Sequence, residues 1–272
     1  MSATRATVRA ALFVALLGAA AAASAATKVA AAPAPGQTPA AAPASTAKKA
    51  AAPTPAETPA ARTIVLLRHG QYAPDPAADK DLGPGLTPLG QAQARLTGAR
   101  LAGLPFRFDT ILASPMTRAQ DTASIVAADL PGEKIETVPE LAECTPPTPH
   151  IQPGTEGTAE DMAACAARLD RIFDEHFKPA LGRPRFELFV CHGNVTRYLL
   201  TKAMHIDTQA WLEMSLGHTS LSTVRVFADG TMQVIAAGDV GHLPPSMHTG
   251  TRGDGEHTLD APAIAPVPPA KK

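Results

Sequence analysis

Two stretches of this chain share a pattern that few folds can accommodate. Each is a continuous apolar run of strand length that stops at a histidine followed by a glycine. The first is Thr63-Ile64-Val65-Leu66-Leu67-Arg68-His69-Gly70; the second is Phe186-Glu187-Leu188-Phe189-Val190-Cys191-His192-Gly193-Asn194. A run without polar alternation suits a strand buried on both faces, as parallel strands covered by helices are. In open α/β sheets the ligand crevice lies beyond the carboxyl ends of such strands. An arginine and two histidines placed there point to a site for an anion. One strand-end histidine alone would read as an ordinary satisfied polar residue.

Between these runs the chain alternates strand and helix signals. Thr87-Pro88 pairs an N-cap residue with proline at the first helical position, and Leu89, Ala92, Leu96, Ala99 and Leu101 follow at near-helical spacing. Phe108 to Ala113 reads as a strand, and Ser114-Pro115 repeats the cap-plus-proline signature before a helix running from Met116 to about Leu130. Arg118 falls in the first turn of that helix, where a cation opposes the helix dipole unless an anion binds there. Ile135 to Val138 suggests a short strand, Thr158 to His176 an amphipathic helix, and Val195 to Met204 another helix; Trp211 sits on a short one. Ser220 to Phe227 and Thr231 to Ala236 flank Asp229-Gly230, a hairpin turn signal. The expected class is therefore α/β: layers of helices on a mostly parallel sheet, with a terminal antiparallel hairpin.

The ends differ in composition. Residues 26–61 are mostly Ala and Pro, too poor in large apolar groups to offset ordering entropy, and residues 246–272 are again rich in Pro, Gly and polar groups. One domain over residues 62–245, with a disordered linker and tail, is the expectation. Arg5 and Arg9 precede an apolar segment that ends at Ala23-Ser24-Ala25, which reads as a secretory signal over residues 1–25. Export to a periplasm follows from that reading, with an uncleaved membrane anchor as the alternative and no stable membrane span if the segment is removed. A net charge of −1 without basic runs disfavours nucleic-acid partners. The three cysteines have no metal-type spacing. Cys191 reads as a buried thiol, and Cys144 and Cys165 are either a pair or two unrelated thiols.

If Arg68, His69, Arg118 and His192 converge, two guanidiniums can clamp a phosphoryl group. A neutral imidazole can attack phosphorus, and the second can stabilise the transferring oxygens. The leaving alkoxide then needs a carboxylic acid, for which Glu140 and Glu143 are the candidates. This chemistry needs neither metal nor cofactor. His218, just before a strand, either lines the pocket or caps a loop.

Leu67-Arg68-His69-Gly70, Leu86-Thr87-Pro88-Leu89-Gly90, Ser114-Pro115-Met116-Thr117-Arg118-Ala119-Gln120-Asp121-Thr122-Ala123 and Cys191-His192-Gly193-Asn194, in that order, resemble the histidine phosphatase superfamily. The resemblance covers the folded region. It implies the three-layer α/β/α fold of phosphoglycerate mutase-like proteins, His69 as phosphorylated nucleophile, and Arg68, Arg118 and His192 as the phosphate pocket. Arg68-His69-Gly70-Gln71-Tyr72, Leu141-Ala142-Glu143 and Gly238 to Pro245 are similar to a serine/threonine protein phosphatase member, which favours Glu143 as the acid. The implied activity is metal-independent phosphomonoester hydrolysis on a phosphorylated small molecule or phosphoprotein. A phosphoglycerate mutase-type transferase and a non-catalytic phosphate-binding domain are the rivals. The phytase-like branch is disfavoured because Tyr72 stands where that branch carries a second arginine.

Overall fold

The computed structural model describes residues 55–130, 132, 134–150 and 157–250. The targeting segment, most of the Ala/Pro-rich linker and the tail beyond residue 250 lie outside the described residues. The elements in order are β1 (Pro59–Ala60), β2 (Arg62–Arg68), α1 (Pro88–Ala102), β3 (Thr110–Ala113), α2 (Thr117–Ala127), β4 (Ile135–Thr137), α3 (Ala159–His176), β5 (Ala180–Leu181), β6 (Arg185–Cys191), α4 (Gly193–Ala203), β7 (Leu221–Val226) and β8 (Met232–Asp239).

Six strands form one sheet in the order β4-β3-β6-β2-β7-β8. The first four are parallel; β7 runs antiparallel to β2, and β8 antiparallel to β7. Alternate residues of β2 enter opposite cores. Ile64 and Leu66 pack with α3 and α4, among them Leu169, Ile172 and Leu199. Val65 and Leu67 pack with Leu101 of α1 and Ala119, Ala123 and Val126 of α2. Both faces of the strand are dry, which is why its sequence shows no alternation. The result is a three-layer α/β/α fold, as the strand and helix signals require. The register pairs Arg68 with Cys191, so His69 and His192 emerge side by side where two parallel strands end.

Local differences from the sequence expectations have identifiable causes. Helix α1 does not bury Leu96 and Ala99; it buries Gly90, Gln93, Ala94, Thr97, Gly98 and Leu101. The small residues let α1 approach the loop after β2 and the neighbouring helix more closely than a leucine face could. Thr87 does cap α1, accepting from the Gly90 N–H. Ser114-Pro115 does not cap α2: Met116 occupies the N-cap without a side-chain bond, and the Ser114 hydroxyl accepts from the Met116 N–H at 3.3 Å while keeping its own proton and a lone pair for another partner. In the stretch read as linker, Pro59–Ala60 pairs with Ala180–Leu181. In the stretch read as tail, Pro245–Met247 forms a 3-10 turn and Thr249 is buried.

Among the described residues no helix is long and apolar enough to cross a membrane. Cys144 and Cys165 are joined by a disulfide with Cα atoms 5.8 Å apart, and Cys191 is a buried thiol. The pair ties the loop after β4 to α3. Closing a loop of that length contributes on the order of 3 kcal/mol in the chain-entropy picture.

A Cβ placed on Gly90 would stand 2.0 Å from the Gln71 carbonyl oxygen, a backbone atom with no room to retreat. Gly90→Ala is therefore expected to cost about 3 kcal/mol in urea denaturation, at the upper end of overpacking penalties. Gly103→Ala meets nothing closer than 3.5 Å and is expected to stay within about 0.5 kcal/mol of the parent. Equal stabilities for the two variants would contradict the close seating of α1.

Candidate active site

The chain turns out of β2 through Arg68, His69 and Gly70, all of them buried. A Cβ at Gly70 would meet the Gly90 carbonyl oxygen at 2.7 Å, so the turn needs glycine. His69 Nδ1 lies 2.8 Å from the Gly70 carbonyl oxygen. A carbonyl can only accept, so Nδ1 carries the proton and Nε2 keeps its lone pair. Arg118 Nε donates to that Nε2 at 3.2 Å. Burial, His192 and the arginine charges hold the His69 pKa well below the ordinary imidazole value, so the ring is neutral.

Arg118 reaches the site from the first turn of α2. Thr122, one turn further on, donates to the Arg118 carbonyl and accepts from the Gly70 N–H, locking helix to turn. Tyr72 stands edge-on to His69 at 5.3 Å and lies under the Arg118 guanidinium at 4.7 Å. An aromatic face thus supports the cation, where a second arginine would repel it.

His192 ends β6 and opens α4. Its ring is 5.0 Å from that of His69, and its Nε2 pairs with Ser114 Oγ at 2.7 Å. Burial foremost, then the charges of Arg118 and Arg68, keep this imidazole neutral too. Its Nδ1 is buried with no partner among the described residues, as is Arg68 Nε. Arg68 Nε is a donor, and so is His192 Nδ1 when the Ser114 hydroxyl donates to Nε2; an orphan donor of this kind costs about 1–3 kcal/mol unless a ligand satisfies it.

Arg68 is held from three sides. Nη1 donates to the carbonyls of Leu216 and Gly250, and Nη2 donates to His218 Nε2 at 3.3 Å. His218 therefore carries its proton on Nδ1, which donates to Thr249 Oγ1 at 2.8 Å. Burial, then Arg68 and Arg118, push the His218 pKa down to about 2. Its ring lies 5.4 Å from that of His69, so His218 lines the pocket and anchors the segment carrying Thr249. Gly250 has φ +68°, and a Cβ there would strike the His218 ring at 2.5 Å. Gln93 joins the same network, accepting from the Gln71 N–H and donating to Thr249 Oγ1.

The two carboxylates separate cleanly. Glu140 lines a different cavity of about 450 Å³ with Glu136, Arg171 and Glu175. Glu143 is half-buried and lies within the fields of Arg118 and Arg68. It accepts from the Cys144 N–H at 3.2 Å and from the Asn194 backbone. Burial outweighs these favourable partners, and its pKa is raised. Two more guanidiniums stand near it: Arg197 on α4, buried, and Arg168 on α3, which donates to the Ala142 carbonyl at 2.7 Å.

The structure therefore brings Arg68, His69, Arg118, His192 and Glu143 into one constellation and leaves Glu140 outside it. Ser114, Tyr72, Thr122, Arg168, Arg197, Thr249 and Gly250 also build the site and were missed in the sequence. For Arg197 a signal existed: it lies five residues after His192, on a helix opening directly from that strand end. Among the described residues no cluster of His, Cys, Asp and Glu could hold a metal ion.

Comparison with known proteins places this constellation in context. The histidine phosphatase superfamily (branch 1) family model matches residues 64–148 and 145–238. The mitochondrial serine/threonine-protein phosphatase Pgam5 of Caenorhabditis elegans is 37% identical over 190 residues, covering 68% of this chain and 65% of the relative. The human mitochondrial serine/threonine-protein phosphatase PGAM5 is 37% identical over 196 residues, covering 69% and 66%. The chain thus spans just under two thirds of the length of these relatives. A mycobacterial glucosyl-3-phosphoglycerate phosphatase structure has the same fold, with a TM-score of 0.50 at 20% identity over 65% of this chain and 99% of that one. The mitochondrial relatives overturn the expectation of a signal peptide and export to a periplasm. Residues 1–56 contain no acidic residue but do contain Arg, Ser and Thr, a composition that organelle-targeting segments share with secretory signals. By the match over the folded region, the chain belongs to the histidine phosphatase superfamily, branch 1.

Proposed function

We propose that this protein is a phosphomonoesterase that works through a phosphohistidine on His69 and acts on phosphoserine or phosphothreonine in proteins. The observation that carries the reading is the unprotonated Nε2 of His69, fixed by the Nδ1–H bond to the Gly70 carbonyl and flanked by Arg118 and Arg68. The substrate class rests on the relatives named as serine/threonine-protein phosphatases.

In this scheme the unpartnered Arg68 Nε, the Arg118 guanidinium and His192, protonated on its unpartnered Nδ1 while the Ser114 hydroxyl donates to Nε2, bind the phosphoryl oxygens. Nε2 of His69 attacks phosphorus, and the bond from phosphorus to the ester oxygen breaks. Glu143 gives its proton to the departing oxygen, which leaves as the alcohol. The Glu143 carboxylate then takes a proton from water as that water attacks phospho-His69, releasing phosphate and restoring both groups. The raised pKa of Glu143 keeps it protonated over a wider pH range than an ordinary carboxyl, as an acid catalyst requires.

The test is hydrolysis of p-nitrophenyl phosphate and a phosphothreonine peptide by the full chain in EDTA. Turnover of both is expected, and its loss in His69→Ala. Arg118→Ala should lower kcat/KM by about 100-fold, and Glu143→Gln should lower peptide turnover by about 100-fold or more. Isomerisation of a phosphoglycerate faster than phosphate release would favour a mutase instead. No turnover by a folded protein that still binds phosphate would favour a binding domain.

The pH dependence follows from the two displaced groups. Glu143 must be protonated, so peptide turnover falls as pH rises through a pKa displaced above the usual carboxyl value. His69 must be neutral, and its pKa lies well below 6.5, so no loss is expected as pH falls through 6.5. A rate profile with an acid limb centred near 6.5 would contradict this assignment.

A further inference from the structure

The acid loop is fastened to the body of the protein at the residue next to the acid itself. Cys144 follows Glu143 directly, and its sulfur is bonded to that of Cys165 on α3. Cys165 is buried in the core beside Leu169, while Cys144 is half-buried. One helical turn on, Arg168 holds the Ala142 carbonyl, so α3 grips both neighbours of Glu143. The Cys144 N–H also donates to the Glu143 carboxyl, which makes the acid's orientation depend on the Cys144 backbone. Weaker ties on this stretch are the Glu143 N–H to Met116 Sδ at 3.5 Å, the Asn194 backbone to the Glu143 carboxyl, the Asn194 side chain to the Cys144 carbonyl at 3.3 Å and Trp211 to the Pro147 carbonyl at 3.1 Å.

We propose that the Cys144–Cys165 disulfide is a redox-sensitive fastener that positions Glu143, and that its reduction by a dithiol uncouples the acid from the phosphate pocket. The inference rests on the phosphatase reading above. The reductant's thiolate attacks Cys144 Sγ, which belongs to the more exposed residue of the pair. The bond between the sulfurs breaks, and Cys165 departs as a thiolate that takes up a proton. The reductant's second thiol resolves the mixed disulfide, leaving Cys144 as a thiol and the reductant as a disulfide. Two electrons and two protons pass to the protein. Cys191 takes no part, because it is buried and its thiol pKa is pushed up to about 12.

The consequence is selective. At the phosphoryl-transfer step p-nitrophenolate leaves without a proton, whereas the alkoxide of a phosphothreonine peptide requires one; the later hydrolysis of phospho-His69 is shared by both. Cys144 and Cys165 are positioning residues, so opening the fastener should reproduce a mild form of Glu143→Gln and spare the nucleophile.

The experiment compares the full chain with its disulfide closed and after reduction with a dithiol and removal of excess reductant, with thiols counted by mass in each state. The expected result is one free thiol in the closed form and three in the reduced form. Peptide kcat/KM, which reports phosphoryl transfer to His69 and not the later hydrolysis shared by both substrates, should fall about tenfold or more on reduction, while p-nitrophenyl phosphate kcat/KM should change less than about twofold. The Cys165→Ser variant, altered on α3 rather than on the acid loop, should behave like the reduced protein without any dithiol, and reoxidation of the parent should restore peptide turnover. A proportional fall in kcat/KM for both substrates would mean only general loosening and would overturn the proposal. So would an unchanged ratio, or three free thiols in the protein as isolated. If the closed form turns over neither substrate, the phosphatase reading itself falls; if it turns over both and the ratio is insensitive to reduction, only the fastener does.

Discussion

The hydrogen bond from His69 Nδ1 to the Gly70 carbonyl decides what the rest of the site can do. It places the proton on the ring nitrogen turned back toward the backbone and leaves the other nitrogen unprotonated, accepting from Arg118 within the field of Arg68. The bond exists because the chain turns sharply at Gly70, and the turn is possible because Gly90 faces it across a gap too small for a Cβ. The start of α1 therefore sets the tautomer of a residue on another element. Thr122 completes the arrangement by bonding both Arg118 and the Gly70 N–H, so that α2 and the strand end move together.

Around that ring the protein gathers cations that it cannot itself neutralise. Burial, with Arg197 next, lowers the Arg68 pKa to about 10, which leaves the guanidinium charged at neutral pH. Its partners are carbonyls, a neutral imidazole and a carboxyl that burial holds toward its protonated form. A dianionic phosphoryl group would find the guanidiniums of Arg68 and Arg118 and three neutral imidazoles already oriented, which is the preorganisation that electrostatic catalysis depends on. The segment at Thr249 and Gly250 supplies part of this order. It takes one Arg68 donor and fixes the His218 tautomer, at a point where only glycine fits.

What could be read from the sequence was what the sheet enforces. Strands buried on both faces announce themselves as unbroken apolar runs, and residues at their carboxyl ends must gather at one edge. His69 and His192 come together through that geometry, and Arg118 joins them because α2 starts from the same edge. The buried face of α1 was hidden, since Gly90, Gln93, Thr97 and Gly98 carry no apolar stripe while the exposed Leu96 suggests one. Ser114-Pro115 imitates a helix cap, and the cap reading concealed a hydroxyl that bonds His192. Arg168 and Arg197 look like solvated helix charges until the loop they approach is in place. Composition misled at the ends, where Pro-rich sequence holds both β1 and the segment at Thr249. The pairing of Cys144 with Cys165 needed α3 to be docked before it could be recognised.

The chemistry of the site turns on the identity of the reacting nitrogen. Alkaline quenching of the protein during turnover, followed by digestion and analysis of phosphohistidine isomers by mass spectrometry and 31P NMR, reads that nitrogen directly. The expected result is phosphorylation of His69 on Nε2, absent from His69→Ala. Phosphate on Nδ1, on His192, or on no histidine during active turnover would contradict the tautomer on which the mechanism is built.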